Sequence, residues 1–328
     1  MNTMAFDLLA FMLAMYVLLD GYDLGVATIT PLVARTSDER ADSMHAIGPF
    51  WNGNEVWLIV AGGALFALFP KAYASVFSGF YLPFIVVLWL LMFRGVAMEL
   101  RGHFPSAIWH DFWDFCFSAS SVLLILLFGV TLGDLVRGVP LDQAGYFIGT
   151  FALLLNPFAL LVGVLAVVVL SMHGAIFVML RVTGPPVARA RTVVAYAMPV
   201  ASVLYILATI EVFSMMGRHL IASPWVILPI IGFASLLGAT FAALRGHTGI
   251  AFGCSCAFLV SLLTGAAAAM YPYVLPGFPQ RAAGLSIATS SPSPVALSSA
   301  LAVSIVGVCI VVAYSAFVTW SLPKAPPH

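Results

Sequence analysis

Residues 48–80, GPFWNGNEVWLIVAGGALFALFPKAYASVFSGF, place Trp51, Asn52, Asn54, Glu55 and Trp57 next to a run that is otherwise apolar. The apolar part alone, 56–69, is too short for a helix crossing the hydrocarbon core, which needs roughly 20 residues at about 1.5 Å each. The helix must therefore start near Pro49. Such a start carries two asparagines and a glutamate into the rim of the membrane, where polar groups are costly and mark paths for protons or ligands.

Working outward, the composition agrees with a membrane reading. Apolar residues make up 62% of the 328-residue chain and charged residues 8%, against about 25% charged in soluble domains. The mean hydropathy is +1.08. Thirteen Lys and Arg balance thirteen Asp and Glu, and the neutral net charge argues against a nucleic-acid partner or a steering surface. Cys116, Cys254, Cys256 and Cys309 sit in apolar stretches and read as small buried hydrophobes ahead of metal ligands or disulfides. With no Lys or Arg before Met4 and no A-x-A site, the N-terminus reads as a first span and not as a cleaved signal.

Apolar runs between breakers predict an all-α polytopic membrane protein with about nine transmembrane helices, in a single integral domain over 1–328. The spans fall near 4–33, 51–69, 73–93, 115–136, 154–181, 193–215, 225–244, 249–271 and 295–320, separated mostly at prolines. The Pro/Ser/Gly-rich stretch 276–294 is the one sizeable loop. With nine spans, Arg35, Arg40, Arg94, Arg101, Arg181, Arg189, Arg191, Arg245 and Lys324 fall on one side, and Lys71, Arg137, Arg218 and Arg281 on the other. Nine against four puts the N-terminus outside and the C-terminus in the cytoplasm. Trp109, Trp113, Trp225 and Trp320 near span ends fit an interfacial belt.

Few ionisable groups lie inside the spans. Asp20 and Asp23 share a face of the first, toward its cytoplasmic half, and Gly21 and Gly25 make a small-xxx-small pair that admits a close neighbour. Carboxylates that close raise one another's pKa and can exchange protons, unless they merely end a short span and are wetted. Glu55 follows Trp51 by one turn, so the indole would cover it; otherwise it is a helix-start glutamate suited to the dipole. Arg94, in LLMFRGVAMELRG with Glu99, Arg101 and His103, should pair with a carboxylate or anionic ligand, or else snorkel to lipid phosphate. His173 is the one histidine deep in a span. Haem held by two axial histidines needs a second at that depth, so His173, like Trp51, reads as a structural or quinone contact.

Together LLDGYDLGVATITPLV, R-x-x-x-M-x-x-I-G-P-F-W-N-G-N-E-V-W-L, AGGALFALFPKAYASVFSGFYLP, FRGVAMELRG, LLNPFALLVG and HGAIFVMLR resemble subunit II of the cytochrome bd family of quinol oxidases, nearly end to end and most specifically over 19–101. The resemblance implies two four-helix bundles plus a peripheral helix. It also implies a larger subunit I partner that holds the haems, two of type b and either haem d or a third b-type haem. Small single-span accessory subunits, membrane quinol, lipid and a structural quinone belong to the same expectation, as does the bacterial inner membrane. The complex would reduce dioxygen to water with electrons from quinol and protons from the cytoplasm. Carried over to this chain, proton or haem-facing positions fall on Asp20, Asp23, Asn52, Arg94 and Glu99, and an oxygen-path tryptophan on Trp57. Relatives often have aspartate where this chain has Asn52, which cannot titrate, so a proton route there would use water or shift to Glu55. After Arg181 the sequence VTGPPVARAR departs, and nothing is carried over. Without the resemblance, a nine-span secondary transporter or channel using intramembrane carboxylates is the competing reading.

Overall fold

A computed structural model of the chain describes residues 1–216 and 223–321, and it is almost entirely helical. Arg218, His219, Lys324 and His328 lie outside the described residues. The helices in chain order are α1 (Asn2–Val33), α2 (Ser37–Ile47), α3 (Trp51–Leu68), α4 (Pro70–Gly79), α5 (Tyr81–Leu100), α6 (Ala107–Arg137), α7 (Phe151–Leu154), α8 (Pro157–Arg181), α9 (Pro185–Met216), α10 (Ile227–Leu244), α11 (Thr248–Met270), α12 (Ile287–Ser290) and α13 (Pro294–Ser321). Eight helices among the described residues are long and apolar enough to cross a membrane. The remaining expected span, α3, is an 18-residue helix whose first turn carries Asn52 and Asn54.

Several boundaries differ from the expectation. The span expected near 73–93 is two helices, because α4 starts on Pro70 and stops at Gly79. Phe80, at φ −97° and ψ 24°, turns the chain into α5. Pro83 in the first turn of α5 lacks an N–H that would have no partner there anyway. Helix α6 starts at Ala107, not near 115, so the polar IWHDFWD segment is helical and extends the span. Helix α8 starts at Pro157, with the Asn156 side chain accepting from the Ala159 N–H as its cap. The expected loop 276–294 holds ordered pieces: Leu285–Ser286 pairs antiparallel with Tyr273–Leu275, and α12 follows. Arg281 in this loop donates to the carbonyls of Val136, at 3.1 Å, and Ala269, capping the exposed ends of α6 and α11.

Helix α1 is central, packing against α3, α6, α8 and α11. Helix α6 lies along α8, α8 along α9, α10 along α11, and α5 along α6, while α13 meets α3. The contact between α1 and α8 is backbone to backbone. A methyl added to Gly25 would sit 2.0 Å from the Leu170 carbonyl oxygen, and one on Gly174 would sit 2.2 Å from the Gly25 carbonyl carbon. The close-approach role expected of Gly25 is thus realised, with α8 as the neighbour.

Helix α2 begins in a capping box between Thr36 and Glu39. Glu39 also accepts from Arg189 on α9 at 2.7 Å and from the Arg35 backbone N–H at 2.6 Å. These donors, Arg189 first, hold its carboxyl down to about 2 from the usual 4.5. A depressed carboxyl stabilises the fold above its unfolded value and stops doing so as pH falls through its folded value. The melting temperature of the wild-type protein should therefore drop between about pH 4.5 and 2 more steeply than that of Glu39→Gln. Equal slopes in calorimetry would refute this contribution.

Candidate functional site

Arg94 is fully buried on α5 and reaches across to α1 and α3. Its Nη2 and Nη1 donate to Asp20 Oδ1 at 2.7 Å and Oδ2 at 3.1 Å, the bidentate fork that guanidinium offers a carboxylate. Nη1 also donates to Glu55 Oε1 at 3.1 Å. Asp23 Oδ2 lies 3.9 Å from Nη2, within ion-pair range but beyond a hydrogen bond. Asp23 is held instead by Asn54 Nδ2, at 2.7 Å. The same amide nitrogen is 2.9 Å from the Tyr22 hydroxyl oxygen and 3.4 Å from the Leu19 carbonyl.

Local sequence explains the assembly. The i, i+3 spacing puts Asp20 and Asp23 on one face of α1, and the polar opening of α3 presents Asn54 and Glu55 to that face. Arg94 closes the cluster from the last two turns of α5. Asp20 and Asp23 have no exposed surface, whereas 26% of the Glu55 side chain is exposed. The cluster therefore has two dry carboxyl groups and one at its edge. A second network lies beside α2: Arg101 grips Asp114 through Nε at 2.5 Å and Nη2 at 3.3 Å, and Arg40 joins Asp114 to Asp111.

Nearly the whole length of the chain matches a known family. The model of cytochrome bd terminal oxidase subunit II covers residues 1–322. The chain is 32% identical to the cytochrome bd-I ubiquinol oxidase subunit 2 of Escherichia coli, over 92% of this chain and 89% of that one. It is also 32% identical to the cytochrome bd ubiquinol oxidase subunit 2 of Bacillus subtilis, over 87% and 85%. A protein of Haemophilus influenzae described as a probable cytochrome oxidase subunit 2 is similar at 32%, over 93% and 89%. The chain belongs to the cytochrome bd terminal oxidase subunit II family. It is thus a subunit of a membrane-bound terminal oxidase, which sets aside the transporter reading. A solved bd oxidase from Geobacillus thermodenitrificans superimposes with a TM-score of 0.79 over 97% of both chains at 14% identity, so the likeness extends to the fold.

The other expected site residues are placed as follows. Asn52 and Glu99 are exposed and stand apart from the Arg94 cluster. Residues two apart on a helix point in nearly opposite directions, so Asn54 turns inward as Asn52 turns out. Trp51 rests on α5, its ring 3.4 Å from where a methyl on Gly95 would be, and Glu55 stays partly open. Trp57 is fully buried and meets the edge of Phe11 at 6.0 Å. His173 is fully buried and links three helices: Nδ1 is 2.7 Å from Ser255 Oγ on α11 and Nε2 is 3.2 Å from the Leu18 carbonyl on α1. The carbonyl requires Nε2 to donate, so in a neutral ring Nδ1 accepts from the Ser255 hydroxyl. With both nitrogens engaged, His173 does not fit an axial haem role.

The sequence singles out Asn54 only among the polar residues that open α3 and gives Tyr22 no role, although both lie in quoted motifs. It also passes over Asp134, buried on α6, whose Oδ1 accepts from Asn156 at 2.7 Å. Asp134 is the single aspartate of the expected span 115–136 and lies close to Arg137, so it looks like a span end.

Proposed function

We propose that this chain is the haem-free subunit of a quinol-driven oxidase that reduces dioxygen to water, paired with a larger subunit that carries two b-type haems and a haem d or third b-type haem. The Arg94 cluster carries the functional part of this reading. One guanidinium faces three carboxyl groups inside a membrane domain, so electrical neutrality of the cluster requires protons to reside on it. Helix α1 supplies the two dry carboxyls and Glu55 the one in reach of water. Proton entry at Glu55 and transfer toward Asp20 and Asp23 follows from that order of exposure. Asn52 cannot titrate, and in this reading Glu55 takes over as the outer group. Trp57 lines the oxygen path, and His173 is a structural link.

In the same reading the nine spans include α3. Helices α1, α3, α5 and α6 form one four-helix bundle, α8 to α11 the second, and α13 is peripheral against α3. The protein sits in the bacterial inner membrane with its N-terminus periplasmic. The distribution of basic residues supports this orientation. Cysteines introduced at Arg189 and Arg281 should be labelled from opposite faces, Arg189 from the cytoplasm. Labelling of both from one face would overturn the orientation.

The functional test uses neutral isosteres, which keep shape and hydrogen bonding but cannot carry a proton. Asp20→Asn and Glu55→Gln should lower quinol-driven oxygen consumption by about tenfold or more in fully haem-loaded complex. The complex should still assemble, with wild-type haem bands in the reduced-minus-oxidised spectrum. Wild-type oxygen consumption in both variants would leave the subunit as scaffold alone.

A further inference from the structure

We infer that Asn54 is the positioning residue for Asp23, holding it short of Arg94 so that Asp23 exchanges a proton more readily than Asp20 does. The inference rests on the proton-delivery reading and adds to it the group that makes one aspartate differ from the other.

The two aspartates are equally buried but differently held. Both Asp20 oxygens accept from Arg94, so protonating Asp20 means breaking a bidentate ion pair. Asp23 Oδ2 accepts from a neutral amide at 2.7 Å, and Oδ1, also buried, finds no hydrogen-bond partner among the described residues. A proton can thus join or leave Asp23 without breaking a hydrogen bond to Arg94. Three of the four terminal N–H groups of Arg94 point to Asp20 and Glu55. Asp23 Oδ2 lies 3.9 Å from Nη2. Little more than 1 Å separates Asp23 from a hydrogen bond to Arg94, and Asn54 is what opposes the move.

Asn54 is itself fixed. Its amide also bonds the Tyr22 hydroxyl, and the Tyr22 ring stacks on Phe177 of α8 with centroids 4.1 Å apart and planes at 11°. The polar and charged groups facing Asp23 are then Asp20 and Tyr22 from α1, Asn54 and Glu55 from α3, and Arg94 from α5. Without the Asn54 amide, Arg94 is the strongest donor left, and Asp23 turns to it as a carboxylate.

The experiment is a double-mutant cycle on purified, fully haem-loaded complex, measuring quinol-driven oxygen consumption in H2O and D2O. Asn54→Leu should lower turnover on the order of tenfold, the scale of a misplaced group, and raise the solvent isotope effect as proton transfer becomes limiting. Asp23→Asn should lower it as much. The double variant should be no slower than Asp23→Asn, because Asn54 acts only through Asp23. Should Asn54→Leu fail to assemble, Asn54→Ser is too short to reach Asp23 and carries the same test. Multiplying losses in the double variant, or wild-type turnover in Asn54→Leu, overturns the positioning role while leaving proton delivery intact. Wild-type turnover in Asp23→Asn overturns the inference too, but by removing Asp23 from the proton route itself.

Discussion

Gly25→Val should abolish the assembled oxidase, leaving neither a stable subunit II nor haem-loaded complex in the membrane. At Gly25 and Gly174 the backbones of α1 and α8 are in contact, and even a methyl at Gly25 would lie 2.0 Å from the Leu170 carbonyl oxygen and 2.9 Å from the Gly174 nitrogen. Neither is the end of a flexible side chain that could swing aside. The helices would have to separate, and α1 is the element against which α3, α6, α8 and α11 all pack. Separation would also pull Leu18 from His173 and break the hydrogen bond between α1 and α8. In a bilayer little hydrophobic force restores such a contact, since lipid tails are as apolar as the displaced side chains. The comparison is Gly62→Val, on α3, where a methyl meets nothing within 4 Å, and which should assemble normally. Wild-type haem content in Gly25→Val membranes would refute the close-approach role.

Gly25 was legible because small residues four apart in an apolar helix have few other uses. Its partner was not, because Gly174 is distant in sequence and looks like any glycine in a span. The same division runs through the site. Asp20, Asp23, Glu55 and Arg94 stand out because charge is costly in apolar surroundings, and the fold does bring all four together. Asn54 was passed over for Asn52, because the family resemblance pointed to the residue after Trp51 and only the helix phase shows which amide faces inward. Most span limits followed from hydropathy and proline, but the break at Gly79–Phe80 carries no proline and depends on how α4 and α5 pack. Arg218 and Lys324, two of the thirteen basic residues behind the expected orientation, lie outside the described residues.

Arg94→Ala should cost haem content itself, in contrast to the isosteric changes at Asp20 and Glu55. Among the described residues Arg94 is the cation in hydrogen-bonding contact with Asp20 and Glu55, and it lies 3.9 Å from Asp23. Removing one partner of a buried ion pair leaves an uncompensated charge and costs on the order of 3–5 kcal/mol. That is a large fraction of the net stability of a typical domain, about 5–15 kcal/mol. The cost has two ways out. The carboxyls can take up protons and stay dry, which keeps the fold but silences the cluster, or α1, α3 and α5 can part and let water in. The alanine leaves a void where the guanidinium joined the three helices, so the second route is open to it. A haem-bearing partner then docks on a subunit whose polar core is no longer held together, and the ratio of haem to subunit II in purified complex should fall below half of wild type. Arg94→Lys separates charge from geometry: the ammonium restores a cation but not the two-pronged grip on Asp20. It should keep haem content above that of Arg94→Ala while oxygen consumption stays depressed. Full haem loading together with wild-type turnover in Arg94→Ala would mean that the three carboxyls need no cation, and the cluster would lose its role in both assembly and proton delivery.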